Sequence, residues 1–373
     1  MATLRLVLSS GGKFNPKNYA INRRTKFGTS DVILYSKIKN ICDTRTKRNG
    51  MDQTSIVQRK ETVNLYGDRA FALLKKHTEA GAKYRFGKLS DAESSRLAHE
   101  FSLILATHSA KVFLYWADVV TKIRQTTYPY IFGVQNCSLV SFCLGITEVN
   151  PLQADSYFER LLNRHSVQMP KLFAEVPNGK RDAIWSRLSD EEKAVTEIEE
   201  NADRSDIPVM EAEAFFEKNS CNDRGILLRA AERFGFGWPK NPPETIGRLA
   251  DFLVYMRYAE FMEKRPTILY QEDAAGLLVK AGLSYEEAEC ARRAFAKHER
   301  RKLKFYRRKM QWAARAVGDS AESVKDVFAE VEGRINYTVC RASYVAMAKY
   351  LYMETFFKEK AGREVYGDPK THS

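Results

Sequence analysis

The sequence predicts an α+β fold that is predominantly α-helical. Three observations carry that reading. Apolar residues recur at helical spacing from Ala70 to about Arg124, and residues 246–373 read as helix throughout. Ser-x-x-Glu signals at Ser90–Glu93 and Ser189–Glu192 mark helix starts, because the serine hydroxyl accepts an unpaired backbone N–H while the glutamate reaches back to the cap. Runs with strand character are few and short.

Residues 1–65 form a basic, polar segment in which Gly11-Gly12, Asn15-Pro16 and Asn49-Gly50 mark turns between the β-like runs Leu4–Leu8 and Val32–Tyr35. Ala70–Tyr84 reads as one helix, stopped by Gly87. A helix or helix pair follows to about Arg124, with Leu97, Phe101, Ile104, Leu105, Val112, Phe113, Trp116, Val119 and Val120 on its apolar side. Ser189 opens a strongly acidic stretch that reads as helix and carries Asp190, Glu191, Glu192, Glu197, Glu199 and Glu200.

Hydrophobic content of 44% is enough for real cores, and the net charge of +13 with a pI near 9.3 favours polyanionic partners: DNA, RNA or acidic membrane. No run approaches the ~18 apolar residues of a membrane span. The apolar run Leu4–Leu8 is too brief for a signal-peptide core. The expectation is a soluble protein of the bacterial cytoplasm or nucleoid with no membrane partner. The six cysteines (Cys42, Cys137, Cys143, Cys221, Cys290 and Cys340) form no C-x-x-C pair, and the six histidines form no H-x-H or H-E-x-x-H. That spacing argues against a zinc knuckle or a redox motif, and the thiols read as reduced, buried side chains.

The stretch Phe142–Pro170 is the most informative. Leu144-Gly145-Ile146-Thr147, Pro151-Leu152, Phe158-Glu159-Arg160 and Met169-Pro170 stand in the order and spacing of a pattern in which LGIT-(D/E)-V-(D/N)-PL, FERFLN and V-x-MP lead into a catalytic strand. The chain thus resembles the palm of bacterial DNA polymerase III alpha subunits, the C-family replicases. Earlier residues fit the same pattern: Glu79, Gly81, Arg85, Phe86 and Gly87, then Val112 to Val119. Later ones resemble the fingers of that family: Asp223 to Leu228, Ile268-Leu269-Tyr270-Gln271-Glu272, and Ala281-Gly282 through Ser284, Glu287, Ala288, Arg292, Arg293, Ala294 and Lys297. The resemblance fades over Gly333–Tyr344. It implies four segments: an unassigned basic segment (1–65), a palm-like region (66–176), a shortened connection lacking the thumb and second palm part (177–245), and a helical fingers-like domain (246–373). The family's histidine-rich phosphoesterase domain has no counterpart.

The chemistry of such a site is missing. Two-metal nucleotidyl transfer needs carboxylates holding two ions about 3.5–4 Å apart, and the family supplies them as D-I-D-I-D-F, whose alternate residues share one strand face. This chain has Lys171-Leu172-Phe173-Ala174-Glu175-Val176, so Glu175 is the one residual acid. Glu197-x-Glu199 and Glu211-x-Glu213 share the spacing but read as helical, where i and i+2 diverge, and are expected to be solvated faces. The further catalytic aspartate of the family's K-F-D-F-L-G strand has no counterpart in 177–245, where no such strand is expected. The family's G-R-G-S-A-A-G-S phosphate loop is degenerate: Gly133 and Ser138 survive, while Ile131, Phe132 and Val134 obstruct backbone approach. A packed turn before a helix is the plainer reading. In the fingers, R-P-G-P is reduced to Arg257-Tyr258-Ala259-Glu260, and N-K-S-H has become Tyr337-Thr338-Val339-Cys340.

Binding capacity is better preserved. Arg292–Lys309 is the densest basic run, and on one continuous helix Arg293, Lys297, Arg301, Lys304 and Arg308 would form a stripe, joined by Arg292 and interleaved with Phe295, Phe305, Tyr306 and Trp312. Such a stripe suits phosphate contact plus base stacking, against the plain alternative of a solvated helix with its aromatics turned inward. Gln153–Phe158 faintly resembles a sliding-clamp peptide, but Phe158 is expected to be buried. The leading expectation is a non-catalytic DNA-binding relative in replication or repair, gripping single-stranded or primer–template DNA, with replisome proteins as further partners. A phage or mobile element would be a natural source. One alternative is a minimal polymerase with a reorganised Mg²⁺ site, the single case in which a cofactor is implied. The other is an interaction module reusing the scaffold.

Overall fold

The computed structural model describes residues 67–165, 169–218, 221–233, 243–257, 267–316 and 321–366. The basic segment 1–65, with its β-like runs, lies outside the described residues, as do Tyr258, Ala259 and Glu260. Helix α1 (Gly67–Phe86) ends where Gly87 turns to φ 67°. Ser90 and Glu93 form the expected capping box of α2 (Asp91–Ala106). The continuation to Arg124 is a separate helix, α3 (Ala110–Arg124), set at 111° to α2 across a break in which His108 takes φ 53°. Among the described residues no single helix is long and apolar enough to cross a membrane. The bent α2–α3 pair packs Leu97, Ile104, Phe113, Trp116 and Val120 into a core.

A three-stranded sheet follows, in the order β1 (Tyr130–Phe132), β2 (Leu172–Pro177), β3 (Thr196–Asn201). β1 runs antiparallel to β2, and β2 runs parallel to β3. β3 corrects the expectation that this acidic stretch is helical. The Ser189–Glu192 capping box is present, but it opens only the short α6 (Asp190–Ala194). Beyond it Thr196 and Ile198 point into the core while Glu197 and Glu199 alternate away, a period of two that the density of acids concealed. Two contacts fix the corner: Trp116 Nε1 donates to the Val195 carbonyl at 3.1 Å, and Lys122 Nζ reaches Glu192 at 2.6 Å.

The sheet is covered on both faces. Ile131, Leu172, Ala174, Val176 and Ile198 pack against α1–α3 and the short α4 (Leu139–Cys143). The approach of α1 to α4 is so close that a Cβ on Gly81 would lie 1.8 Å from the Cys143 carbonyl oxygen. After α5 (Arg181–Trp185), the helices α7 (Val209–Glu217), α8 (Arg224–Glu232), α9 (Ile246–Arg257) and α14 (Arg341–Tyr366) cover the opposite face, on Tyr130, Phe132 and half-buried Phe173. A third core is shared by α10 (Gln271–Lys280), α11 (Tyr285–Ala296), α12 (Arg300–Ala316) and α13 (Ala321–Arg334).

The segments that carry the sequence resemblance meet in space. Arg160 Nε donates to Gln271 Oε1 at 2.6 Å, Ser156 Oγ to Glu272 Oε1 at 3.2 Å, and Tyr157 OH to Glu289 at 2.9 Å. Phe158 is fully buried, so it offers nothing to a clamp. Glu289 is enclosed and also takes Arg292 at 2.8 Å, Arg293 at 2.7 Å and Arg160 at 3.4 Å. Burial alone would raise its pKa, but Arg292 and Arg160 outweigh that and hold the carboxyl below the usual range. A depressed carboxylate contributes stability that is present above its unfolded pKa and lost as pH falls through the folded one. Glu289→Gln is therefore expected to lower stability by about 3–5 kcal/mol in urea titrations at neutral pH, since it strands buried guanidiniums. The gap to wild type should hold above about pH 5 and narrow only below about pH 4.

Candidate functional site

Glu175 lies on β2 beneath α14 and is 3% exposed. Its neighbours decide its role. It is ion-paired and hydrogen-bonded to Arg204 Nε, and it accepts from Asn201 Nδ2 at 3.0 Å. The same guanidinium reaches Glu354 of α14 at 3.2 Å and lies 4.4 Å from the Tyr130 ring centroid. Burial would lower the pKa of Arg204, but the Glu175 and Glu354 carboxylates raise it. The other two positions of the strand pattern carry no ligand. Lys171 is exposed just before β2, and Phe173 packs its ring 6.1 Å from that of Phe132.

Glu197 and Glu199 stand beside these residues in parallel register, Phe173 opposite Glu197 and Glu175 opposite Glu199. Their side chains therefore leave the sheet on the same face as Glu175, which corrects the helical reading in which they diverge. The acids do not converge. Among the described residues, the group of three possible metal ligands whose donor atoms all lie within 4.8 Å of one another is Cys137, Glu272 and Cys340, elsewhere in the fold. Glu211 and Glu213 lie on α7, as expected, and Glu213 sits 3.7 Å from Arg124.

The loop after β1 is a packed turn. Gly133 takes φ 101° and donates its N–H to Ser343 Oγ at 2.9 Å, then a 3₁₀ turn (Val134–Cys137) leads to Ser138, the N-cap of α4. The backbone donors here are already engaged by a carboxylate from within the chain. Fully buried Glu100 accepts the N–H of Leu139 at 2.8 Å, that of Val140 at 3.0 Å and the Ser138 hydroxyl at 2.8 Å, and Arg96 pairs with it at 2.7 Å. Sequence reading missed Glu100, although a signal existed: it falls on the stripe defined by Leu97 and Ile104, and a charge on a buried stripe requires a partner.

The basic run is divided between two helices. α11 ends at Ala296, His298 takes φ 53°, and α12 starts at Arg300, so the single stripe from Arg293 to Arg308 is corrected. No Gly or Pro marks the break, which left the sequence looking continuous. Arg292 is buried and Arg293 bonded in the Glu289 cluster, and Lys297 is exposed at the end of α11. Phe295 is buried in the core. α12 itself is two-sided. Leu303, Tyr306, Met310 and Ala314 face inward, while Arg301, Phe305, Arg308, Trp312 and Arg315 follow one another outward at alternating steps of four and three. Phe305 is 60% exposed and Trp312 is 74% exposed. Among the described residues Arg301, Lys304, Arg308 and Arg315 have no carboxylate partner. Arg315 was outside the run singled out from sequence.

A cleft of about 640 Å³ opens beside Asp155, Arg248, Asp251, Tyr270, Asp273 and Arg341, between α9, α10 and the start of α14. Glu175, Glu197 and Glu199 are not among its lining residues. Arg341 is already bonded to Asp155 and Asp273 there.

Residues 72–192 match the family model described as the bacterial DNA polymerase III alpha NTPase domain. Over that segment the chain is similar, at low identity, to bacterial DNA polymerase III alpha subunits. The alpha subunit of Halalkalibacterium halodurans is 32% identical over 115 residues, covering 30% of this chain and 10% of the relative. That of Streptococcus pyogenes serotype M3 is 34% identical over 107 residues, covering 28% and 10%. The error-prone DNA polymerase of Burkholderia mallei is 30% identical over 124 residues, covering 33% and 12%. The matched part thus spans about a tenth of these relatives' length. It runs from within α1 to the first residues of α6, includes β1 and β2 with Glu100, Gly133, Ser138 and Glu175, and stops before β3 and the partner Arg204.

Arg204→Met is expected to cost about 3–5 kcal/mol in urea unfolding, because it leaves Glu175 buried without a cation. Adding Glu175→Gln in that background should recover part of the loss, a coupling that a double-mutant cycle reads directly.

Proposed function

We propose that the chain is a nucleic-acid-binding relative of the DNA polymerase III alpha subunit, acting in DNA replication or repair without nucleotidyl transfer of its own. The observation that carries the binding reading is the outer stripe of α12. Its unpaired cations Arg301, Lys304, Arg308 and Arg315 contact a phosphate backbone, and exposed Phe305 and Trp312 offer faces for unstacked bases. Stacking requires bases free of a duplex, so single-stranded DNA or the single-stranded part of a primer–template is the favoured ligand. In this reading 66–176 is palm-like and 246–373 fingers-like, joined by a connection through 177–245, and replisome proteins are the natural company.

The loss of catalysis is supported by Lys171 and Phe173 at two of the three acid positions and by the Arg204 ion pair at the third. The degenerate loop at Gly133 and Ser138 supports it too, since Glu100 takes the donors a phosphate would use. One observation favours a second reading, a minimal polymerase with a reorganised metal site: Glu175, Glu197 and Glu199 share one face of the sheet. It is the weaker reading, because the acid that would anchor an ion is already bound to a buried guanidinium.

The test is fluorescence anisotropy with single-stranded, primer–template and duplex DNA across a salt series. The slope of log affinity against log salt should flatten by about 0.7 for each cation removed, hence by about 2 in an Arg301→Ala/Lys304→Ala/Arg308→Ala variant on single strands. Phe305→Ala and Trp312→Ala should each cost about 1–3 kcal/mol with the slope unchanged, because stacking releases no counterions. Folded protein that binds no DNA at low salt would overturn the proposal and leave α12 as a protein-docking surface.

A further inference from the structure

We propose that Cys137, Cys340 and Glu272 form a structural site for a borderline-soft divalent cation, zinc in the first instance. The three residues come from the 3₁₀ turn ahead of α4, the first residue before α14 and the first turn of α10. The thiols are 203 positions apart in sequence and 3.4 Å apart in space, and Cys340 Sγ lies 3.6 Å from Glu272 Oε1. All three are buried, with Cys137 fully enclosed. The spacing rules that argued against a zinc motif address ligands close in sequence, and this set is assembled by the fold.

The carboxylate is the reason to expect a cation. Glu272 is 6% exposed, and among the described residues no Lys, Arg or His forms an ion pair with it. Among the described residues its oxygens are met by neutral donors, the Arg341 backbone N–H at 2.9 Å, the Ser156 hydroxyl at 3.2 Å, the Cys340 thiol and its own backbone N–H. The other buried glutamates of the described fold each have a basic partner: an arginine for Glu100, Glu148, Glu175, Glu289 and Glu354, Lys122 for Glu192 and His99 for Glu159. A buried carboxylate beside two thiols, without an arginine, supplies three ligands of the types zinc accepts, and a water would be the fourth.

Geometry separates the cation from the rival outcome, a disulfide. Tetrahedral zinc with Zn–S near 2.3 Å sets two sulfurs about 3.8 Å apart, so the thiols need only spread by about 0.4 Å. A disulfide at about 2.05 Å needs them to close by about 1.4 Å between two packed elements. On binding, each thiol gives up its proton to solvent, and the two thiolates and the carboxylate receive the dication, leaving one net negative charge within the fields of Arg160 and Arg341. The bound ion would tie the sheet's first loop to α10 and α14, joining elements that no short loop connects.

The test uses the full chain purified without chelator. Elemental analysis should find about one zinc per chain. Removing it with a chelator should lower Tm by several degrees and make Tm rise again with added zinc. Cobalt(II) added to the stripped protein should give a sulfur-to-metal charge-transfer band, kept in Cys143→Ala and lost in Cys137→Ala and Cys340→Ala. The wild-type titration needs no variant to fold. Folded wild type that holds no zinc and gives no such band would overturn the proposal, as would an intact mass two hydrogens lighter, which reports the disulfide. These readouts are independent of DNA binding, so either proposal can fail alone.

Discussion

The buried bond between Arg204 and Glu175 sets the character of this molecule. A strand face that holds divalent ions must leave its carboxylates open to them. Here the buried Glu175 carboxylate is neutralised from within the chain, and the neutralising guanidinium also grips Glu354 of the helix that covers the face. The same positions therefore serve packing: Phe173 lies against Phe132, Tyr130 sits under Arg204, and α14 closes over them. Glu100 does the equivalent at the start of α4, where its carboxylate takes the place an outside anion would occupy. Both carboxylates are held in bonds internal to the fold.

The same logic explains the charge. Many arginines are consumed inside, where Arg85 and Arg124 hold Glu148, Arg96 holds Glu100, and Arg160 and Arg292 hold Glu289. These clusters join segments distant in sequence, and each would cost several kcal/mol to break because its partner would be left buried and charged. Among the described residues, α12 then presents a concentrated run of exposed cations. A polyanion is proposed at α12 from that separation of buried from exposed arginines rather than from total charge.

Legibility in the sequence followed the physical range of each signal. Local signals were readable: the capping boxes at Ser90 and Ser189, the stop at Gly87 and the apolar stripe through Trp116 depend on neighbours within a turn or two. The family pattern in Leu144–Pro170 was readable as well, because it is carried by residue identity. Features decided by distant partners were not. β3 was hidden because its alternate residues are acids following a true helix cap, and it is settled only by pairing with β2. Arg204 lies in a loop with no periodicity to announce it. The α11–α12 break falls at His298 without a glycine or proline. The meeting of Cys137 with Cys340 spans 203 positions and leaves no local trace.

Primer extension by the purified full chain, with Mg²⁺ or Mn²⁺ and all four deoxynucleotides, tests most directly whether this sheet face has changed its role. The account predicts no extended product under either ion. Extension that requires the metal and disappears in Glu175→Ala or Glu199→Ala would contradict it, and would show that the acids on this face still gather ions despite Arg204.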